Sequence, residues 1–133
     1  HLGKKIKYTS GLSKTESFKD ESVLKKESAE EITRMLVNVV DDALLEGTVK
    51  LDNYSVAAKT GTAQIADTVN GGYFEDKFLH SFFGYFPAYD AEYLVFLYTL
   101  EPKEVRYASQ TLTHPFIDTV KFLINYYEVP PDR

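Results

Sequence analysis

The chain has 133 residues, a size typical of one domain, and its 44% hydrophobic and 26% charged residues are ordinary for a globular protein. The formal net charge of -5 argues against a nucleic-acid partner, which requires a clustered positive surface. Because the chain has no cysteine, disulfides, thiolate chemistry and cysteine-metal sites are excluded.

Residues 1–22 are polar and rich in lysine, serine and threonine, and we expect an extended segment or loop there. The basic residues of this stretch indicate a solvated terminus. No signal peptide is visible in the sequence. The chain begins at His1 rather than at methionine, so we expect that it is a fragment with further sequence upstream.

A first helix is predicted by the capping box Ser28–Glu31, in which a hydroxyl and a carboxylate can each satisfy a free N–H of the first turn. Gly47 predicts its end, because a left-handed C-cap is common there. Asp41 and Asp42 point in different directions on a helix, which indicates a solvated helix end rather than an acid/base pair. Apolar residues at helical spacing predict one buried face. They are Ile32, Met35, Leu36, Val39, Val40 and Ala43.

Three strands are predicted next. The first runs through residues 53–62 with one packed and one polar face, and the glycines of residues 67–72 indicate a loop after it. The second and third run over about 79–86 and 93–100 and are separated by a short break, which predicts an antiparallel hairpin. The third strand is also the longest apolar run, far below the roughly 20 residues that a membrane helix needs.

The last predicted element is a helix with Leu112, Phe116 and Val120 on one face, and Pro115 is expected in its first turn, where proline is tolerated. The element order of helix, three strands and helix predicts an α+β fold. We expect an antiparallel sheet of about three strands whose helices cover one face. No repeat or linker divides residues 1–133.

The most informative segment is Lys59-Thr60-Gly61-Thr62-Ala63-Gln64, on the first predicted strand. Because side chains alternate along a strand, Thr60 and Thr62 should share one face and Lys59 the other. A glycine inside a strand often marks close approach by a ligand or another backbone. This combination suits an extended ligand that carries a carboxylate and pairs along a sheet edge. A polar edge strand whose lysine and threonines face water is an equally open interpretation of these residues alone.

Lys-Thr-Gly is one of three active-site motifs of class A β-lactamases and penicillin-binding proteins, beside Ser-x-x-Lys and Ser-Asp-Asn. The segment Val56–Gln64 closely resembles the corresponding strand of class B high-molecular-weight penicillin-binding proteins. The resemblance covers about residues 23–131 and is greater to the division branch than to the elongation branch. Other matching segments are Leu36–Val40, Gly71–Tyr73, His80–Ala88, Glu101–Lys103 and Tyr107–Gln110.

The resemblance implies that the chain is the C-terminal part of a peptidoglycan D,D-transpeptidase domain with a β-lactamase/transpeptidase-like fold. Lys59 would supply positive charge near the nucleophile, and the Thr60 and Thr62 hydroxyls would hold the carboxylate of a terminal D-alanine or a β-lactam. The Thr62 backbone N–H would form half of the oxyanion hole. Gly61 would let the acyl substrate lie against the strand, and Gln64 is also assigned to substrate binding. No metal or cofactor is implied.

Of the family's other two motifs, one is absent from the chain and the other occurs only as a match at an unsuitable position. It contains no Ser-x-Asn, and its one Ser-x-x-Lys match is Ser22–Lys25. We interpret this match as accidental, because it directly precedes the first helix, between the positions of the family's second and third motifs. We therefore expect the catalytic serine outside this chain and no activity from the chain alone.

Two other functions remain open at this point: a non-catalytic module that binds muropeptides or β-lactams, and a domain that docks on a division partner. The resemblance implies stem peptide, β-lactams and the remainder of the domain as partners. It also implies the extracytoplasmic face of the bacterial membrane as location. His80 and His114 are too far apart to suggest a metal site, and a hydrogen-bonded structural role is expected for His80.

Overall fold

The computed structural model describes residues 23–133, so the expectations for residues 1–22, including Ser22, lie outside the described part. Two helices and three strands make up the described fold. α1 is extended by one π-helical turn, Val39–Ala43, after which Leu45, Glu46 and Gly47 have positive φ of 47°, 57° and 76° and the right-handed helix ends. The elements in chain order are α1 Lys26–Asn38, β1 Ala57–Ala66, β2 Tyr73–Phe86, β3 Tyr93–Leu100 and α2 Ala108–Tyr126.

The strands form one antiparallel sheet in the order β1-β2-β3, which confirms the predicted α+β fold and the hairpin of β2 and β3. β3 has the predicted bounds. β2 begins six residues earlier than expected, because it continues to pair with β1 beyond a register shift between Gln64 and Ala66. Within residues 23–133, β1 and β3 are therefore the two edge strands.

The turn between β1 and β2 is closed by Asp67. Its carboxylate accepts hydrogen bonds from the backbone N–H groups of Val69 and Asn70 at 2.9 and 3.0 Å. The N–H groups and the amide side chain of Asn70 hold the pKa of Asp67 below its usual value. Gly71 and Gly72 follow with φ of 81° and 79°, a conformation that glycine adopts without strain.

The start of α1 differs from the prediction. Ser28 lies inside the first turn, since the N–H of Ala29 already donates to the carbonyl of Lys25 at 3.0 Å. Lys25 is the N-cap and forms no side-chain cap, and Glu27 provides the acidic residue of the first turn. The predicted capping box is therefore wrong, because the helix begins two residues before it can form.

The buried face of α1 is also different from the predicted one. Ala29, Thr33 and Val37 are buried, whereas Ile32 and Met35 are exposed. The Thr33 hydroxyl donates to the carbonyl of Ala29 at 2.9 Å and so accepts from the Tyr85 hydroxyl at 3.0 Å. Because this contact lies 52 residues away in sequence, local hydrophobic spacing could not indicate the buried face.

The two helices pack on opposite faces of the sheet, not on one face as predicted. α1 covers one end of the first face, where Val37 packs against Ala57, Tyr85 and Ala88. α2 covers the second face with the main core. That core is formed chiefly by Val40, Leu44, Val56, Ala58, Phe82, Phe86, Val95, Leu112, Phe116, Ile117, Val120 and Ile124.

α2 carries the predicted apolar face, which includes Leu112, Phe116 and Val120. Phe82 and Phe116 stack with ring centroids 4.3 Å apart and join the helix to the middle of β2. The helix begins at Ala108, so Pro115 is its eighth residue and not part of the first turn. In residues 23–133, no helix combines the length and the apolar character needed to cross a bilayer.

The last residues of the chain return to the segment before β1. The Asp132 carboxylate accepts hydrogen bonds from the backbone N–H and the hydroxyl of the buried Ser55. Arg133 pairs with the Asp41 carboxylate, which raises the pKa of the guanidinium, and also donates to the carbonyl of Leu51 at 2.8 Å. Asp41 is thus an ion-pair partner rather than the solvated residue predicted. The carbonyl of Ser55 also accepts from the N–H of Ala88 at 3.0 Å, just before β1 begins at Ala57.

Candidate functional site

The motif residues lie in β1, at an edge of the sheet, with the alternation that the sequence predicts. Lys59 and Gly61 are opposite Phe83 and Ser81 of β2, whereas Thr60 and Thr62 are opposite Phe82 and His80. Since paired residues share a face, Thr60 and Thr62 lie on the α2 side and Lys59 on the α1 side.

Thr62 is exposed but holds the start of α2. The N–H of Ala108, the first residue of that helix, donates to the Thr62 hydroxyl oxygen at 3.0 Å. The first N–H groups of a helix have no partner within the helix, and Ala108 is fully buried, so Thr62 satisfies a donor that would otherwise lack a partner.

His80 is fully buried behind the motif, directly opposite Thr62. Its Nε2 lies 2.9 Å from the carbonyl of Arg106, which can only accept, so Nε2 carries the proton. Its Nδ1 lies 2.9 Å from the hydroxyl of Thr111. The predicted hydrogen-bonded structural role of His80 is confirmed, and the ring ties β2 to both the loop before α2 and the first turn of that helix.

Gly61 leaves room for a neighbouring side chain. A Cβ at this position would lie 2.5 Å from the hydroxyl oxygen of Ser81. The atom closest to this glycine is therefore in the side chain of Ser81, whereas the sequence suggested a ligand or another backbone, and the contact of Gly61 with an acyl substrate stays a prediction. Sequence reasoning did not single out Ser81, and only the strand register brings the two residues together.

Lys59 and Gln64 lie at the two ends of the motif with exposed side chains. The Lys59 ammonium donates to the carbonyl of Thr60 at 2.9 Å, beside the free edge of β1. The Gln64 amide nitrogen donates to the carbonyl of Phe74 at 3.1 Å, across the irregular end of the hairpin. Each side chain thus has one backbone partner within the fold, and the Lys59 ammonium, which carries three donors, keeps two for a ligand.

The face of the sheet that carries Lys59 is apolar, and among residues 23–133 little apart from α1 covers it. Alternate residues of β3 on this face are each more than half exposed. They are Leu94, Phe96, Tyr98 and Leu100. Large exposed apolar patches of this kind are typical of interaction surfaces.

The described residues contain no group of three histidine or acidic side chains that could hold a metal ion. His114 is exposed on α2, away from the buried His80. The chemistry that the site offers is instead that of an ammonium and two hydroxyls beside a free strand edge. Such groups bind anions and hydrogen-bond acceptors.

Comparison with protein families gives a match to the penicillin binding protein transpeptidase domain over residues 1–120. The chain is 29% identical over 105 residues to the peptidoglycan D,D-transpeptidase FtsI homolog of Chlorokybus atmophyticus, covering 76% of the chain and 15% of that protein. It is 28% identical over 116 residues to the probable peptidoglycan D,D-transpeptidase PenA of Neisseria flavescens, covering 86% of the chain and 28% of that protein. The chain thus spans less than a third of the length of either relative.

Solved structures share the fold. Apo penicillin-binding protein 3 of Mycobacterium tuberculosis matches with a TM-score of 0.68 at 24% identity, over 84% of this chain and 27% of that chain, and that protein has also been solved with ampicillin. The transpeptidase domain of Burkholderia pseudomallei penicillin-binding protein 3 matches with a TM-score of 0.67 at 27% identity, over 85% of this chain and 34% of that chain.

Proposed function

The chain belongs to the penicillin-binding protein transpeptidase domain family, and from this premise we propose that it forms the C-terminal, substrate-binding part of a peptidoglycan D,D-transpeptidase. The observation that carries the proposal is the placement of Lys59, Thr60 and Thr62 along a free strand edge. An extended peptide can pair with such an edge through its backbone, while side chains select its terminal group.

The Thr60 and Thr62 hydroxyls bind the carboxylate of a terminal D-alanine or of a β-lactam. The contact between Thr62 and Ala108 supports this role, because a hydroxyl that accepts from an N–H keeps its own proton for another acceptor. A carboxylate is such an acceptor, and charge-assisted hydrogen bonds are the stronger kind.

The reaction is acyl transfer through a serine ester, and this chain supplies two parts of its machinery. The backbone N–H of Thr62 contributes to the oxyanion hole, where loss of one donor typically lowers the rate by about 10²–10³. Lys59 places its ammonium on the uncovered face, where the nucleophile of the remaining domain would pack. Gln64 lies at the distal end of the same strand and borders the peptide.

The attacking serine and its lysine belong to sequence outside these 133 residues. The absence of Ser-x-Asn from the chain, and the position of Ser22 directly before α1, support this assignment. The apolar face around β3 supports it further, because the remaining part of the domain would cover that surface. The chain alone is therefore inactive.

The partners that follow are the peptidoglycan stem peptide, β-lactams and the remainder of the transpeptidase domain. Because the curated relatives are FtsI and PenA types, we assign the protein to septal cell-wall synthesis, with division proteins as further partners. We place this cell-wall synthesis at the extracytoplasmic face of the bacterial membrane.

The substitution Lys59→Ala in the full-length protein tests the proposed role of the motif. We expect the rate of acylation by a fluorescent penicillin to fall at least about 100-fold, the size of effect that a catalytic proton-transfer or charged group commonly provides. Lys77→Ala is the matched control, since Lys77 is a partly exposed lysine of the same sheet. Equal acylation rates for the two variants would overturn the assignment of Lys59.

A further inference from the structure

Three hydrogen bonds link the motif strand β1 and the buried His80 of β2 to the start of α2. His80 donates to the carbonyl of Arg106 and bonds to the hydroxyl of Thr111, both at 2.9 Å. Because Nδ1 of this tautomer accepts, the Thr111 hydroxyl donates its one proton to the ring, and its 3.2 Å distance to the carbonyl of Ala108 does not add a further hydrogen bond. The N–H of that same Ala108 donates to Thr62. The position of the Ala108 N–H therefore depends on His80 and its partners.

We propose that His80 is a positioning residue for substrate binding: it fixes the first turn of α2 so that the Ala108 N–H orients the Thr62 hydroxyl toward the ligand carboxylate. This inference rests on the proposed function. His80 is fully buried, so it acts through Thr62 and touches no substrate.

The physical basis is the single proton of the Thr62 hydroxyl. A hydroxyl has one O–H to donate and rotates to suit its surroundings. Once its oxygen accepts from Ala108, the O–H is directed away from α2. Within residues 23–133, Thr62 has no acceptor for this proton, and the side chain is exposed. The proton is therefore available to a carboxylate, and its direction is set by the helix that His80 holds.

The test measures carboxylate preference in the full-length protein, defined as the ratio of the acylation rates for a penicillin and for its methyl ester. Wild-type protein should prefer the free acid, and Thr62→Val should lower that preference about tenfold or more, as expected for a hydrogen bond to a charged group. Thr62→Ser keeps the hydroxyl and should retain most of the preference.

His80→Gln and Thr111→Val should each lower the preference about fivefold, the effect of one misplaced hydrogen bond, while leaving the rate for the methyl ester close to wild type. When either substitution is combined with Thr62→Val, the carboxylate preference should be no lower than in Thr62→Val alone, because His80 and Thr111 act through the Thr62 hydroxyl. His114→Gln is the matched control, an exposed histidine that should change nothing. Thr111→Val tests the same contact without altering the buried ring.

The outcomes separate the two proposals. If wild-type protein and Thr62→Val show the same preference, carboxylate binding by Thr62 is wrong and the proposed function fails with it. If Thr62→Val loses the preference but His80→Gln and Thr111→Val keep it, only the role of His80 is wrong. If His80→Gln lowers the acylation rates for the penicillin and for its methyl ester by the same factor, His80 has a structural role only and the positioning role is wrong.

Discussion

Two glycines in neighbouring strands face different surroundings: Gly61 lies in the edge strand β1 and Gly84 in the central strand β2. A Cβ on Gly61 would approach one atom, the hydroxyl oxygen of Ser81, at 2.5 Å. A Cβ on Gly84 would lie 2.5 Å from the Phe116 ring, 2.7 Å from the carbonyl oxygen of Ala57 and 2.7 Å from Cβ of Ala58. The first neighbour can rotate away, whereas the others are backbone and close-packed core.

We therefore predict that Gly84→Ala lowers the free energy of unfolding by about 1–3 kcal/mol, the usual cost of overpacking a core. Gly61→Ala should lower it by less than about 1 kcal/mol, because Ser81 can adopt another rotamer. Chemical denaturation of both variants measures the difference. Equal destabilisation would show that the contact between Gly61 and Ser81 is as rigid as the core around Gly84.

The site residues differ in how far the sequence alone could identify them. Lys59, Thr60 and Thr62 are adjacent in sequence, so strand alternation was enough to place them on their two faces. His80 and Ser81 become their neighbours only through the register of β1 and β2, which depends on hydrogen bonds between distant residues. The sequence therefore predicted which residues carry the motif, but not those that hold it in place.

At the scale of elements, α1 is joined to the sheet by the hydroxyl chain from Tyr85 to Thr33 to the carbonyl of Ala29. Tyr85→Phe removes its first donor and leaves the buried Thr33 oxygen without that partner. We predict a loss of about 1 kcal/mol in the free energy of unfolding, the typical contribution of one hydrogen bond. Tyr98→Phe, at an exposed tyrosine of β3, is the matched control and should have no measurable effect.

The Tyr85 hydroxyl also makes the free energy of unfolding depend on pH. Burial raises the pKa of Tyr85, against the opposing hydrogen bond with Thr33, so the folded state favours the neutral phenol. The contribution of the neutral Tyr85 phenol to the free energy of unfolding is fully present below the pKa of an unfolded tyrosine, about 10. It is lost as the pH rises through the higher pKa that Tyr85 has in the folded state. The free energy of unfolding should fall less steeply above about pH 10 in Tyr85→Phe than in wild type. Identical slopes would contradict this.

The elements show why part of the fold was predictable. β3 has a local apolar pattern and clear breaks on both sides, and its bounds were predicted correctly. α1 was placed on the wrong face because Ile32 and Met35 form a stronger apolar pattern than the buried residues Ala29 and Thr33. Hydrophobic spacing indicates which face of a helix could be buried. Contacts with distant residues, such as Tyr85, decide which face of α1 is buried in the described structure.

At the scale of the whole molecule, the exposed apolar residues have a common explanation. The outward residues of β3 lie on the side of the sheet that also carries α1 and Lys59. The proposed role of Lys59 in acyl transfer and the exposed apolar face on the same side of the sheet are both expected if the nucleophile-bearing part of a transpeptidase packs there. The exposed apolar side chains of β3 and the position of Lys59 thus agree with the proposal that a nucleophile-bearing segment packs on this face of the sheet.

The most direct test of the account is to acylate the full-length protein with a penicillin, digest it, and locate the modified serine by mass spectrometry. We predict that the acyl group lies on a peptide outside residues 1–133, at a serine followed three positions later by lysine. An acyl group on Ser22, or on any other serine of the 133 residues, would contradict the claim that this chain binds the substrate while another segment attacks it.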